Sequence, residues 1–314
     1  MRILVFGAGA IGSVLGGFLA QADHDVVLLG RSWHVDVVKR QGLRISGLWG
    51  EHQITRLAIA TTIDEIKGWE TFDWVLVCVK AYQTAEAAAA LRERLGSRTL
   101  VCAFQNGLGN YEALTQQVDP SRVTLGRVIF GAELEPGRVR VTVCADDVLI
   151  GAPDPRAPSE RGAALASALQ QSGVPCRTTD AIIQALWAKV LYNCALNGLS
   201  TLLEVPYGKL LERAHTQPLM QAIIEEAYRV ASAQRIRLQP TTAQAYCELL
   251  FARLIPDTAA HHPSMLQDLR RGKRTEVDAL NGAIVQLAQQ AGVPVPINDL
   301  ITRLIHTKEQ FLGV

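Results

Sequence analysis

Short apolar runs alternate with helical stretches through the first half of the chain. Nearly continuous apolar residues at 3–6, 26–29, 74–79 and 99–103 are typical of strands buried on both faces. Alanine-rich segments with helical periodicity occupy 10–22 and 84–94. Because strands that alternate with helices usually pair in parallel through right-handed crossovers, the pattern predicts an α/β fold with a doubly wound parallel sheet.

The pattern changes in the second half. A Pro-Gly pair between extended runs predicts a hairpin over 133–143, and a turn-rich link at 154–159 precedes one more helix at about 160–172. From residue 179 onward, long helical segments divided by prolines replace any strand-like alternation. We therefore expect two domains with a boundary near 178: an α/β domain over 1–178 and an all-helical C-terminal domain over 179–314.

Composition supports a folded, two-domain protein and excludes several classes of function. Of the 314 residues 48% are hydrophobic and 19% charged, which is not the composition of a disordered chain. The net charge is 31 − 30 = +1, so no overall field would attract nucleic acid or a membrane surface. Six cysteines without a CxxC pair and seven histidines without HxxxH or HExxH argue against a metal centre or a disulfide framework.

The N-terminal segment imitates a secretory signal peptide. Residues 1–22 combine a basic second residue, an apolar stretch and an Ala-Gln-Ala ending. Five glycines interrupt this stretch, and glycine weakens a continuous apolar helix. We therefore expect a cytoplasmic protein without a membrane-spanning segment.

A glycine-rich loop directly follows the first predicted strand. The GxGxxG motif comprises Gly7, Ala8, Gly9, Ala10, Ile11 and Gly12. The first glycine of such a loop permits a tight turn, the second lets the backbone approach a pyrophosphate, and the third allows close packing of helix on strand. Amides at the helix N-terminus then bind the phosphates. The context predicts a Rossmann-like dinucleotide-binding domain, and a tight turn without a ligand is the simpler alternative.

The second predicted strand is followed by an arginine, where dinucleotide-binding units often carry an acid. Arg31 occupies this place, and residues 26–35 contain no Asp or Glu. A guanidinium suits a 2′-phosphate, which an acidic side chain would repel. We expect NADP (NADPH) as the cofactor, although a solvated loop arginine would give the same pattern.

Two further loops follow predicted strands at the edge where open α/β sheets bind ligands. The strand at 74–79 leads into Lys80, and the strand at 99–103 leads towards Asn106 in the segment Asn-Gly-Leu-Gly. A solvated lysine at a helix start and an ordinary Asn-Gly turn explain these residues equally well.

A polar stripe in the second half is the most informative feature there. Lys189, Asn193 and Asn197 are spaced by four, which places them on one face of a helix. The surrounding residues of 186–200 are almost all apolar or small, so the helix should be buried and the stripe should face partners or a ligand. We expect the stripe to line a cleft against the nucleotide domain, with Lys189 as a general acid. An exposed stripe without chemistry is the alternative.

Two downstream polar residues have ordinary structural explanations. Ser264 begins a Ser-x-x-Gln pattern that predicts a helix N-cap with a capping box. Glu276 suits the first turn of a helix, where the helix dipole favours an acid. The basic run at 270–274 is typical of a solvated face. These residues alone would not indicate a site.

Taken in order, these motifs resemble the ketopantoate reductase (2-dehydropantoate 2-reductase) family over nearly the whole chain. The matching segments are GAGAIG at 7–12, KAYQ at 80–83, NGLG at 106–109, the Lys-x3-Asn-x3-Asn stripe, SMLQD at 264–268 and TEVD at 275–278. The last three motifs are far more specific than the glycine loop. The resemblance implies a Rossmann domain followed by a helical domain.

The resemblance also implies roles for individual residues. Lys189 corresponds to the catalytic proton donor, and Glu276 to an acidic residue near the cofactor and the lysine. The residues that look like substrate ligands are Asn193, Asn197 and Ser264. The residues that look like cofactor contacts, besides the glycine loop, are Arg31, Lys80, Asn106, the backbone at Ala132, and Glu276.

Two positions depart from the family. Tyr207 stands where the family carries a further substrate-binding asparagine, and Phe130 stands where some members carry a polar residue. Both bear on the identity of the 2-oxo acid and neither bears on hydride chemistry.

The resulting prediction is an NADPH-dependent oxidoreductase that reduces a small 2-oxo acid, 2-dehydropantoate, to pantoate in pantothenate and coenzyme A biosynthesis. One alternative is a reductase of another 2-oxo acid or an imine, and the other is a non-catalytic NADP-binding sensor. A homodimer is compatible with the sequence. Neither nucleic acid, a membrane nor a metal is expected as a partner.

Overall fold

The computed structural model describes residues 1–154, 156 and 159–314. It divides into two compact units. The first contains Met1–Gln105 and Asn110–Ile182, and the second contains Asn106–Gly109 and Ile183–Val314. Each unit has its own apolar core. The contiguous boundary near residue 178 stays a prediction.

The first unit is built from strands and helices in alternation. Its strands are β1 (Arg2–Phe6), β2 (Asp25–Leu29), β3 (Leu43–Gly47), β4 (His52–Ile54), β5 (Ala58–Ala60), β6 (Trp74–Val77), β7 (Leu100–Ala103), β8 (Val123–Arg127), β9 (Phe130–Glu135), β10 (Arg138–Cys144), β11 (Val148–Gly151) and β12 (Cys176–Thr178). Its α-helices are α1 (Ala10–Gln21), α2 (Ser32–Gln41), α3 (Thr84–Arg92), α4 (Asn110–Thr115) and α5 (Ser159–Gln171).

Within the described residues, the larger sheet has eight strands in the order β12-β11-β8-β7-β6-β1-β2-β5. Neighbouring strands are parallel except for the antiparallel pair β8 and β11. The predicted doubly wound parallel sheet is therefore confirmed, with one antiparallel pair that the apolar pattern did not reveal. The chain leaves β1 towards β2 on one side, and β6 lies on the other. Such a switch point is where open α/β sheets bind ligands.

A second sheet of four strands, in the order β4-β3-β10-β9, contains the predicted hairpin. Helix α1 lies between the two sheets. An added Cβ at Gly16 would meet Leu28 at 2.6 Å, whereas one at Gly17 would meet Ile45 of the second sheet at 2.6 Å. Consecutive glycines on α1 thus allow close approach to opposite layers. Phe130 is buried in this core and packs edge-to-face on Trp49 at 4.9 Å.

A buried histidine joins α1, α2 and the hairpin. His34 Nδ1 lies 3.1 Å from both the Gly137 amide nitrogen and the Glu135 carbonyl oxygen, and Nε2 lies 3.1 Å from Ser13 Oγ. Burial lowers the pKa of His34 below its ordinary value of 6.5, and a hydrogen bond to the Glu135 carbonyl opposes this only in part. The folded chain therefore holds the ring neutral.

This histidine gives a pH-dependent contribution to stability. Because the folded-state pKa is lowered, the contribution is full above pH 6.5 and is lost as the pH falls from there towards the folded-state value. We expect the difference in unfolding free energy between wild type and His34→Gln to narrow between pH 8 and pH 5. Urea unfolding at several pH values measures it, and a constant difference would contradict the assignment of a neutral ring.

The second unit is helical, as predicted: residues 179–314, all of which the structure describes, contain no strand. Its α-helices are α6 (Ile182–Leu203), α7 (Tyr207–Leu211), α8 (Thr216–Ala233), α9 (Ala243–Leu249), α10 (Ser264–Arg270), α11 (Asn281–Ala291) and α12 (Pro296–Phe311). A π-helical turn, Leu250–Leu254, continues α9. Helix α6 lies in the apolar core of the unit, which explains why it is apolar on nearly every face.

A buried carboxylate stabilises the start of α12. Glu226 of α8 accepts hydrogen bonds from the amides of Ile297 and Asn298, both at 2.9 Å, and from the Asn298 side chain at 2.7 Å. The first amides of a helix have no partner within the helix, and its dipole favours an anion there. Glu226 thereby attaches α12 to α8.

We expect Glu226→Ala to lower the free energy of unfolding by about 2–3 kcal/mol, because buried donors would lose a charged acceptor. Glu225→Ala, at the adjacent and less buried position, should change stability by no more than about 0.5 kcal/mol. Chemical denaturation compares the two. If both variants lost the same free energy of unfolding, the loss would come from the substitution within α8 and not from the hydrogen bonds to the start of α12.

No helix in the described part of the chain combines the length and apolarity needed to cross a membrane. Over the same residues, no cluster of three or more His, Cys, Asp or Glu side chains is arranged to hold a metal ion.

Candidate active site

The glycine loop after β1 has the geometry expected of a phosphate-binding turn. Gly7 has φ of +113°, which favours glycine, and an added Cβ there would lie 2.7 Å from the Val79 amide nitrogen. An added Cβ at Gly12 would lie 2.2 Å from the Gly7 carbonyl oxygen. At Gly9, by contrast, the nearest atom to an added Cβ is the Cys78 carbonyl oxygen at 3.9 Å. The first and third glycines are therefore required by packing, whereas an added Cβ at the second would make only an ordinary van der Waals contact.

The N-terminus of α1 is open to an anion. Gly9 occupies the N-cap position, no side chain caps the helix, and no acidic residue lies in its first turn. The first amides therefore keep their hydrogen-bonding capacity for a ligand. Arg31 is exposed just after β2, and Lys80 is half-buried just before the 3₁₀ turn Ala81–Gln83. These residues can hold a dinucleotide, and their individual roles stay predictions.

In the second unit, the lysine of the α6 stripe meets a residue that is distant in sequence. Lys189 is half-buried, and its Nζ lies 2.6 Å from Oδ1 of Asn106. The opposite end of the same amide, Asn106 Nδ2, donates to Glu276 Oε2 at 3.3 Å. The acceptor end of the amide thus faces the ammonium and its donor end faces the carboxylate. The reverse orientation would place NH2 against NH3⁺, so the charges on both sides fix the amide.

The loop that carries Asn106 is attached to the segment that follows Glu276. The amide of Leu108 donates to the Ala279 carbonyl oxygen at 2.9 Å. Gly107 has φ of +83°, and an added Cβ there would lie 2.2 Å from the same oxygen. Only glycine allows this approach. The NGLG motif therefore has a structural reason, which is to place the Asn106 amide between lysine and carboxylate.

The two asparagines of the stripe are buried polar groups. Asn193 is 8% exposed and Asn197 is 4% exposed. Neither the Asn193 side chain nor the amide nitrogen of Asn197 has a hydrogen-bond partner among the described residues. These unpaired amide atoms are not among the fully buried polar atoms that lack a partner in the described residues, so they stay accessible and this face of α6 is suited to a polar ligand.

The predicted local roles of Ser264 and Glu276 need correction. Ser264 is exposed and is the first residue of α10, Pro263 takes the N-cap position, and no side chain caps the helix. The predicted capping box is therefore wrong, because the helix begins one residue too early for Ser264 to be its N-cap. Glu276 is 7% exposed and precedes a 3₁₀ turn, so it is not in the first turn of an α-helix. Their functional roles stay predictions.

The remaining positions singled out in the sequence lie in different surroundings. Ala132 is half-buried in β9, opposite Val141 of β10, in the second sheet of the first unit. Phe130 lies in the core of that unit, so its apolar character is explained by packing. Tyr207 is 2% exposed, and its hydroxyl donates to Oδ1 of Asn197.

Two polar contacts were not predicted from the sequence. One is the Tyr207–Asn197 hydrogen bond, for which the polar stripe and a tyrosine ten residues later were the available signal. The other is a buried network in the first unit: Gln105 Nε2 donates to Thr84 Oγ1 (2.9 Å), which donates to Asn110 Oδ1 (2.8 Å). Thr84 thereby holds the two residues that flank the NGLG motif, Gln105 and Asn110.

Comparisons with known proteins match both halves of the chain to one family. Residues 3–155 match the family described as ketopantoate reductase PanE/ApbA, and residues 181–309 match its C-terminal counterpart. A 2-dehydropantoate 2-reductase of Aquifex aeolicus is 38% identical over 312 residues, which cover 99% of this chain and 98% of the relative.

Solved structures lead to the same family. A PanE/ApbA family ketopantoate reductase from Ralstonia eutropha has a TM-score of 0.89 and 33% identity, with 100% of both chains covered. A ternary structure of D-mandelate dehydrogenase with NADH and anilino(oxo)acetate has a TM-score of 0.88 and 29% identity, again with 100% of both chains covered. The predicted family and enzyme class are confirmed: this chain is an oxidoreductase and belongs to the ketopantoate reductase family.

Proposed function

We propose that this chain reduces 2-dehydropantoate to pantoate with NADPH, and that Lys189 donates the proton. Family membership implies a nicotinamide cofactor and a small 2-oxo acid substrate, and the Aquifex aeolicus relative is named for this reaction. The observation that carries the proposal is the hydrogen-bonded series from Lys189 through Asn106 to Glu276. It holds an ammonium group on a helix face that also presents two buried amides.

The first unit is the proposed cofactor-binding domain. The residues present fit a dinucleotide, because the turn at Gly9 has room for a diphosphate and the α1 N-terminus is uncapped. Bound NADPH would supply the hydride. Arg31 and Lys80 are the proposed ligands of its phosphate groups, and the backbone at Ala132 is a proposed contact on the nicotinamide side.

The second unit is the proposed substrate-binding domain. As the carbonyl oxygen of the substrate gains negative charge, the Lys189 ammonium stabilises it and transfers a proton from Nζ to that oxygen. Asn106 and Glu276 orient the ammonium. The proposed ligands for the substrate oxygens are Asn193, Asn197 and Ser264, which would hold the reacting carbon in a fixed orientation.

The preference for NADPH is tested at Arg31. We expect Arg31→Asp to weaken NADPH binding by about tenfold to a hundredfold, since an acid repels the 2′-phosphate, and to change NADH binding little. Arg40→Asp, an exposed position at the other end of α2, serves as the charge-matched control. Fluorescence titration of both cofactors gives the ratio. Equal losses for NADPH and NADH would remove the argument for a phosphate contact.

The reaction itself is tested by one assay. Purified protein mixed with NADPH and ketopantoate should lose absorbance at the reduced-nicotinamide band and form pantoate. Tight NADPH binding without turnover on any oxo acid would contradict an enzyme and favour the non-catalytic sensor. An ammonium group held at the ligand-facing stripe supports the enzyme, because a sensor needs no proton donor.

A reductase of another 2-oxo acid is the second candidate function. The aromatic surroundings of Tyr207 support it. Its ring packs against the His261 ring at a centroid distance of 5.2 Å, beside Asn197. The related D-mandelate dehydrogenase has an aromatic oxo acid analogue bound. A panel that compares kcat/KM for ketopantoate and phenylglyoxylate separates the candidates. A higher value for phenylglyoxylate would assign an aromatic substrate.

A further inference from the structure

The hydroxyl of Tyr207 is hydrogen-bonded to a residue of the polar stripe. Tyr207 begins α7, is 2% exposed, and donates from its hydroxyl to Oδ1 of Asn197 on α6. Its ring is held between the ring of Tyr192, edge-to-face at 5.7 Å, and that of His261. Its backbone amide donates to the His261 carbonyl oxygen at 3.1 Å. The phenol therefore has little freedom to turn away from Asn197.

Protonation strengthens this arrangement. Burial raises the pKa of the Tyr207 hydroxyl well above its ordinary value of 10, and the neighbouring Tyr192 raises it further. The hydroxyl thus keeps its proton at any pH at which the chain would work, and it remains a donor. A phenol that donates selects the carbonyl end of an amide as its partner.

The hydrogen bond to Tyr207 also determines where the other end of the Asn197 amide points. With Oδ1 engaged by Tyr207, Asn197 turns Nδ2 away from the tyrosine, and this nitrogen has no partner among the described residues. An amide without such a neighbour can present either its donor or its acceptor to a ligand. Here only the donor is available, one helical turn from Asn193.

We propose that Tyr207 is a positioning residue that fixes Asn197 as a hydrogen-bond donor to an oxygen of the 2-oxo acid. The inference rests on the proposed function. It specifies that the substrate atom facing Asn197 is an acceptor, such as a carboxylate or carbonyl oxygen, and that Tyr207 acts through Asn197 without touching the substrate.

Removal of the hydroxyl alone tests the first part. Tyr207→Phe keeps the packed ring, so the fold should persist while the amide becomes free to turn. We expect KM for the oxo acid to rise about three- to tenfold, with kcat and NADPH binding nearly unchanged, as for one lost neutral hydrogen bond. Tyr228→Phe is the matched control: it removes a hydroxyl that donates to the Pro240 carbonyl oxygen at 2.8 Å in the same unit. It should leave KM unchanged.

A double-mutant cycle tests whether the effect passes through Asn197. In an Asn197→Ala background, Tyr207→Phe should have no further effect on KM. Asn197→Asp tests the direction of the amide, because an aspartate can accept from Tyr207 but cannot donate to the substrate. We expect kcat/KM to fall at least a hundredfold, since a carboxylate would also repel an anionic substrate.

Several outcomes would overturn the inference. An equal rise in KM from Tyr207→Phe in both backgrounds would show a role that is independent of Asn197. Wild-type kcat/KM in Asn197→Asp would show that Asn197 does not donate. Failure of the wild type to reduce any 2-oxo acid would overturn the proposed function and this inference together, whereas normal wild-type turnover with either other result overturns the inference alone.

Discussion

Replacement of Lys189 with alanine should lower kcat by about 10²–10⁴-fold while NADPH still binds. The variant loses the ammonium that lies 2.6 Å from Asn106 Oδ1, and with it the proposed proton donor and the positive charge that stabilises the developing oxyanion. Glu276 and Asn106 remain, but neither replaces a cation. Steady-state kinetics with ketopantoate and NADPH, together with a cofactor titration, measure the two effects separately.

The control for this variant is another lysine of the same unit. Lys209 is exposed and pairs with Glu212 on the surface, so Lys209→Ala should leave kcat unchanged. Full activity in Lys189→Ala would assign the proton donor to another group. Loss of NADPH binding in parallel with kcat would instead indicate that Lys189 acts mainly on the cofactor.

Substitution of two glycines of the same loop should separate cofactor binding from folding. Gly9→Ala adds a methyl group where the nearest neighbouring atom is 3.9 Å away, so the unfolding free energy should change by less than about 0.5 kcal/mol. The same methyl group would occupy the space through which a diphosphate approaches. NADPH affinity should therefore fall about tenfold to a hundredfold.

Gly12→Ala should behave in the opposite way. Its methyl group would lie 2.2 Å from the Gly7 carbonyl oxygen and 2.9 Å from Val5, so the fold itself must shift. We expect a loss of about 3 kcal/mol of stability. Thermal unfolding and NADPH titration of both variants give the comparison. Unchanged affinity in Gly9→Ala would show that the diphosphate does not approach this turn.

The elements that the sequence predicted well are those with long, uninterrupted patterns. The runs at 3–6 and 26–29 became β1 and β2, and the helical periods at 10–22 and 84–94 became α1 and α3, which ends at Arg92. The strand predicted over 74–79 ends at Val77, where the backbone leaves the sheet beside Gly7. Strands such as β4 and β5, three residues each, carry too little pattern to be recognised before their partners are known.

The site was predictable where spacing alone determines geometry. Steps of four residues placed Lys189, Asn193 and Asn197 on one face of a helix, and α6 has that form. The contact between Lys189 and Asn106 spans 83 positions and depends on the path of the loop after β7, which no local pattern encodes. The partner of Asn197 was not predicted either, because a tyrosine ten residues after the stripe is a weak signal that does not show where its hydroxyl points.

The position of α1 between two sheets affects the entropic cost of ligand binding. Gly16 and Gly17 let the layers on either side close onto the helix, so its axis is immobilised when the first unit folds. The amides at its beginning are therefore already aligned before any ligand arrives. Their conformational entropy is lost during folding and not during ligand binding, so ligand binding is stronger than it would be at a disordered loop.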